Sequence, residues 1–194
     1  MELMEYRYST LLVSSFEKFN QTLLPLLPQN TFTPLLTLQD SASARRKLLD
    51  DRFDIVIINT PLPDDFGTSL ALDACSDSGA GVLLLVKAEH FPDVNARVGP
   101  HGVLTLAKPL SQVILTQCLQ LLCGTRQRLR RMEQKTASLE EKMQEIRMVN
   151  HAKWLLIEQL KMTEQQAHRY IEKQAMDRCV TKRTVAESIL ATYK

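Results

Sequence analysis

Asn59 closes an apolar run, Asp54-Ile-Val-Ile-Ile-Asn59, and opens a proline-marked loop, Thr60-Pro61-Leu62-Pro63. Lys108-Pro109 follows another apolar stretch much further on. An aspartate at position 59 would offer a carboxylate nucleophile; the carboxamide of Asn59 does not. Asp64 and Asp65 lie just beyond it, but neither is aligned with the strand. Elsewhere the sequence offers no nucleophile–base pair, no glycine-rich phosphate loop and no metal-ligand cluster, so a non-enzyme without cofactor or metal is expected. The four cysteines (Cys75, Cys118, Cys123 and Cys179) form no Cys-x-x-Cys pair. They read as free thiols in a reducing cytosol.

The second chemically suggestive set is cationic and C-terminal. Residues 125–194 hold 15 Lys/Arg against 9 Asp/Glu, whereas residues 1–124 hold 9 against 13. Lys153, Lys161, Arg169, Lys173, Arg178, Lys182 and Arg183 belong to this basic part, together with Trp154 and Tyr170. Such an imbalance suits an anionic partner, although solvated helical surfaces carry similar charge. Each cation taken alone reads as surface charge. Tyr170 is expected in a core, and Trp154 is read equally well as core or as a stacking platform.

The elements that would position these residues follow from periodicity. Short apolar runs at 10–14, 33–38, 54–58, 81–86 and 103–106 predict five strands. Helices are predicted over 16–27, over 40–50 with Asp40 or Ser41 as cap, and from Thr68 to Cys75. Segment 89–101, with Pro92 and Pro100, is ambiguous. The unbroken Ile/Val character of 54–58 implies burial on both faces, as in a parallel sheet. The alternation and its lengths predict a flavodoxin-like α/β domain over 1–122. Beyond Pro109 there is no proline, and Gly124 is the only glycine. Leu129, Thr136, Met143 and Asn150 repeat every seven residues, as do Met132, Leu139, Ile146 and Lys153. These a and d positions predict a coiled-coil helix over 123–149 that pairs with a second copy through Leu129, Met132, Leu139, Met143 and Ile146. Residues 150–194 read as three short helices, the second opened by the capping-box pattern Thr163-Glu-Gln-Gln166 and carrying Ala167, Tyr170, Ile171, Ala175 and Met176 as its stripe. The third is predicted from about Thr184 to Tyr193. The N-terminus has no long apolar segment and no run approaches a membrane span, so a cytoplasmic protein is expected.

Residues 8–122 resemble a response-regulator receiver, on strand spacing, Asn59 with its Pro61/Pro63 loop, and Lys108-Pro109. The resemblance implies a phosphorylation site with its parts replaced. Ser14 and Ser15 stand where an acidic pair would hold Mg²⁺, and Asn59 stands for the acceptor. Lys87 takes the place of a hydroxyl residue and Thr105 that of an aromatic one; Lys108 alone remains. Residues 148–191 resemble the ANTAR domain, on Asn150-His-Ala-Lys-Trp-Leu-Leu156, Thr163-Glu-Gln-Gln-Ala167, Ala175-Met176 and Val185-Ala186. Trp154 departs from the small residue usual there, and Gln166-Ala167-His168 from Glu-Ala-Phe. The whole order is similar to the antiterminators of the AmiR/NasR family. That resemblance implies a homodimer that binds paired RNA stem-loops in a leader transcript, controlled by a sensor protein acting on the pseudo-receiver. A DNA-binding regulator and a protein-interaction scaffold are the alternatives.

Overall fold

The computed structural model describes residues 6–193, apart from the side chains of Asp77 and Ser78. The chain divides into two compact units at Arg130/Arg131.

In the first unit five parallel strands stand in the order β2-β1-β3-β4-β5: β1 (Thr10–Val13), β2 (Leu35–Leu38), β3 (Ile55–Asn59), β4 (Gly81–Lys87) and β5 (Leu104–Lys108). This is the flavodoxin-like order. The helices between them are α1 (Glu17–Leu23), α2 (Ser41–Asp50), α3 (Thr68–Ser78) and α4 (Phe91–Val98). Every residue of β3 is buried because both sheet faces are covered. Val56 and Ile58 pack with Leu11, Val13 and Leu84 beneath α2, α3 and α4, through Ala44, Leu70, Ala71 and Val98. Ile55 and Ile57 pack with Leu12, Leu83 and Leu85 on the opposite face, against Leu23, Leu115, Leu119 and Leu122. The continuous apolar run is thus the signature of two covered faces.

Several expected boundaries move for local reasons. The first helix stops at Leu23 and a single 3-10 turn, Leu24–Leu26, takes its place, because Pro25 has no N–H to continue the ladder. The second strand starts at Leu35 rather than at residue 33, with Pro34 outside it. The ambiguous segment is helical over Phe91–Val98, with Pro92 in its first turn, where no N–H is needed. Asp40 caps α2 as expected, its carboxylate accepting from the Ser43 N–H at 2.7 Å.

The segment after β5, the predicted coiled-coil helix and the first of the three predicted C-terminal helices are one element, α5 (Gln112–Leu160), of 49 residues. It does not break at Gly124, nor at the expected junctions at 123 and 150. In the second unit α6 (Glu164–Asp177) and α7 (Lys182–Thr192) fold onto its C-terminal end. Ala152 and Leu156 of α5, Ala167, Ile171 and Ala175 of α6, and Val185, Ala186 and Ile189 of α7 form the core. Four alanines among these let the helix axes approach closely. Among the described residues no helix is long and apolar enough to cross a membrane.

Candidate nucleic-acid interface and degenerate acceptor site

Asn59 ends β3, Ser14 follows β1 and Lys108 ends β5, so all three sit at the carboxyl ends of strands, where ligand sites of open α/β sheets form. The structure joins them in one hydrogen-bonded set. Lys108 Nζ donates to Asn59 Oδ1 at 2.8 Å and to the Thr60 carbonyl. Asn59 Nδ2 donates to Ser14 Oγ at 3.0 Å, and the Phe16 N–H donates to the same oxygen at 3.3 Å. Asn59 and Ser14 are buried. The amide suits this role because lysine only donates and serine can accept, so each end of the carboxamide has its partner. The Phe16 ring lies 5.8 Å from the Lys108 ammonium, within cation–π range. Burial first, and the charge of Lys87 second, hold the Lys108 amine below the ordinary lysine value.

The other parts of the expected site are not in this set. Ser15 is half-buried beside it. Lys87 pairs in register with Lys108 across the β4–β5 ladder, but its own side chain is exposed and lies 3.6 Å from Glu89. Thr105 is buried, and its hydroxyl has no hydrogen-bond partner among the described residues. Ser14 and Ser15 offer no carboxylate to a hard cation, and the Asn59 carboxamide is not a nucleophile. Asp64 and Asp65 are engaged elsewhere. Asp64 accepts from the N–H groups of Ser41 and Ala42, each at 2.9 Å, at the start of α2, and the Ser41 N–H in particular holds its carboxyl below the usual range. Asp65 accepts from Ser69 Oγ at 2.8 Å.

Sequence reasoning passed over Asp54 as the first residue of a strand. It is buried and accepts from Ser9 N and Ser9 Oγ at 3.0 Å each, from Arg126 Nε at 3.3 Å and from Arg130 Nη2 at 2.6 Å. Arg130 also lies over the Tyr8 ring. The carboxylate ties the stem of α5 to the amino-terminal edge of the sheet, across from the acceptor site. Arg126 and Arg130 are four apart on a helix face that also carries Leu115, Leu119 and Leu122; that spacing is the signal in the sequence.

The second unit sorts the predicted cations into two groups. Lys153 lies 3.2 Å from Glu164, Lys182 lies 2.6 Å from Glu172, and Arg183 lies 3.0 Å from Glu187. The Lys182 hydrogen bond, with His168 adding to it, keeps the Glu172 carboxyl below its usual value. Lys161, Arg169, Lys173 and Arg178 form no ion pair among the described residues. Arg169 and Lys173 are exposed one turn apart on α6, and Arg178 caps its C-terminus. Lys161 sits at φ 54°, the left-handed conformation that ends α5. Tyr170, expected in the core, is exposed, as is Met176; α7 docks on the Ala167/Ile171/Ala175 side and leaves the flank of the stripe uncovered. Trp154 is 70% exposed.

Local sequence builds both turns of this unit alike. A left-handed residue (Lys161, Cys179), an apolar residue (Met162, Val180) and a threonine cap follow in each. Thr163 and Gln166 complete the predicted capping box, at 2.8 and 3.3 Å, and Thr181 accepts from the Thr184 N–H at 3.2 Å, so α7 starts at Lys182, earlier than expected. The apolar residues one before the cap and four after it, Met162 with Ala167 and Val180 with Val185, have hydrophobic-staple spacing.

Leu129, Met132, Leu139, Met143 and Ile146 are all exposed. At 100° per residue Leu139, Met143 and Ile146 fall on a face largely opposite to Met148, Ala152 and Leu156, which carry α6 and α7. Lys153, the next d position, is instead committed to Glu164.

The ANTAR domain family matches residues 137–190. The Transcriptional regulatory protein PdtaR of Mycobacterium tuberculosis, in strains CDC 1551 and H37Rv alike, is 31% identical over 140 residues, which are 72% of this chain and 68% of that relative. The chain belongs to the ANTAR-domain transcriptional regulators. Solved structures add the receiver fold to this ANTAR regulator. The signal receiver domain of an HD domain-containing protein from Pseudomonas fluorescens Pf-5 aligns with TM-score 0.58 and 23% identity, covering 68% of this chain and 96% of that one. A two-component response regulator from Clostridium difficile aligns with TM-score 0.51 and 17% identity, covering 65% of this chain and 98% of that one.

Proposed function

We propose that this ANTAR regulator acts by transcription antitermination: as a homodimer it binds paired stem-loops in a leader mRNA, and a partner sensor protein controls it through a receiver that cannot be phosphorylated. The observation that carries the reading is the set of second-unit cations with no ion pair among the described residues, Lys161, Arg169, Lys173 and Arg178, with the exposed rings of Trp154 and Tyr170 on the same small fold. RNA loops are recognised through splayed bases stacked on aromatic side chains, while phosphates take the cations. Lys153, Lys182 and Arg183 are held by carboxylates and contribute mainly by shaping that surface. The exposed stripe Leu129, Met132, Leu139, Met143 and Ile146 supports pairing with a second copy. The closed set of Ser14, Asn59 and Lys108 supports control by a bound protein rather than by phosphate. The working division is a pseudo-receiver over 1–122, a linker helix over 123–149 and an RNA-binding domain over 150–194, in a cytoplasmic protein.

The test is a titration of purified protein against a paired stem-loop RNA, a single hairpin and duplex DNA across a salt series. Preference for the paired RNA, weakened by Arg169→Ala or Lys173→Ala with a shallower salt slope, is the expected result. Equal or tighter binding to duplex DNA would favour a DNA-binding regulator. Binding to neither nucleic acid, by the full chain and by residues 125–194 alike, would leave a scaffold.

A further inference from the structure

Asn150, Lys153, Trp154 and Ile157 recur at i, i+3, i+4 and i+7 on α5, and with Glu164 at the start of α6 they line an open groove of 460 Å³. Trp154 is the only tryptophan of the chain and lies 70% exposed, two residues away from the fully buried Ala152 and Leu156. An indole left so far in water forgoes the burial that makes tryptophan stabilising in a core, which marks a contact surface. Lys153 is different: its side chain is 15% exposed and its ammonium is fixed 3.2 Å from Glu164. The pair neutralises the groove's one carboxylate and pins a cation at its rim. An aromatic face and a carboxamide offering both donor and acceptor, on a rim whose one carboxylate is neutralised, form a recognition set for a planar, hydrogen-bonding group.

We infer that this groove receives one unpaired nucleobase of the bound RNA, stacked on the Trp154 ring, with its edge read by the Asn150 carboxamide. The inference rests on the RNA reading above and adds to it the place where a single base is selected. Stacking comes from the π-face that every base has, so Trp154 supplies affinity with little discrimination. Discrimination comes from Asn150, whose amide must be oriented to match the donor and acceptor on the base edge. Lys153 is a positioning residue: held by Glu164, it borders the groove and keeps its acidic rim neutral.

A single tryptophan makes the test direct. A labelled paired stem-loop RNA is titrated into the full chain while anisotropy of the label and emission of Trp154 are read together, with abasic sites scanned through the loop. The expected result is saturable quenching of Trp154 in step with binding, lost at one loop position. That abasic site, or Trp154→Ala, should weaken binding about 5- to 150-fold, whereas Trp154→Phe retains most of the affinity. Asn150→Ala should flatten the preference among the four bases at that position. RNA binding without quenching, together with parent-like affinity of Trp154→Ala, would overturn the groove inference and leave RNA recognition standing. Absence of binding to any hairpin would remove both. A change in Trp154 emission with protein concentration alone, without RNA, would mean that a second copy covers the groove, and would also overturn it.

Discussion

Asp54→Ala should release the stem of α5 from the sheet. The wild-type carboxylate is buried and takes hydrogen bonds from Ser9, Arg126 and Arg130. Alanine removes the counter-ion shared by two guanidinium groups and an acceptor for the Ser9 N–H. The Arg126 side chain is 11% exposed and cannot readily exchange this partner for water, whereas Arg130, at 31%, can. Removing one partner of a buried ion pair costs about 3–5 kcal/mol, and the exposure of Arg130 puts this site near the lower end, about 3 kcal/mol. Asp54→Asn keeps an acceptor and should cost about half as much, roughly 1–2 kcal/mol. Urea unfolding followed by far-UV circular dichroism reads the difference. With a slope of about 2 kcal/mol/M, the alanine variant's midpoint for the first unit should fall by roughly 1–2 M. Peptide-resolved hydrogen exchange localises the loss, because Asp54 N–H donates to the Ser9 carbonyl and Gly81 N–H to the Asp54 carbonyl. Faster exchange is expected in Ser9–Val13 and Ile55–Asn59. A cost below about 0.5 kcal/mol, the range of ordinary surface substitutions, would refute the claim that this carboxylate anchors the helix.

Two further outcomes test the receiver and the seam. Asn59→Asp introduces a carboxylate next to Lys108 but leaves serines, which offer no charged oxygen to Mg²⁺, at positions 14 and 15, so treatment with acetyl phosphate and Mg²⁺ should leave the protein's intact mass unchanged. A stable gain of one phosphoryl group on this variant would show that the centre is not disabled. Sedimentation should find a dimer for the parent and a monomer for Leu139→Asp, since a charge at a d position is buried on pairing. A monomeric parent at the concentrations used for RNA binding would remove the seam from the proposed mechanism.

The residues that local chemistry governs were legible from the chain alone. Asn59 lacks a nucleophile wherever it is placed, and the uninterrupted apolar run before it had to be covered on both sides. Asp40 and Thr163 were readable as caps because their partners lie three residues away along the same backbone. The long helix beyond Pro109 likewise needed only helical periodicity and the lack of a breaker. The tertiary structure decided which groups meet across long separations. Asp54 joins Ser9, 45 residues away, to Arg126 and Arg130, 72 and 76 residues away, and no local pattern specifies that meeting. Among cations of identical type, the fold set Lys153 opposite Glu164 and Lys182 opposite Glu172, and left Arg169 and Lys173 facing water. Tyr170 belonged to an apolar stripe by spacing, but a helix of small diameter can bury only the part of its stripe that another helix covers, and α7 covers Ile171 and Ala175 instead. Sequence set the chemistry that each side chain carries; packing set its partner, because burial and charge pairing depend on distances in space that the order of residues does not contain.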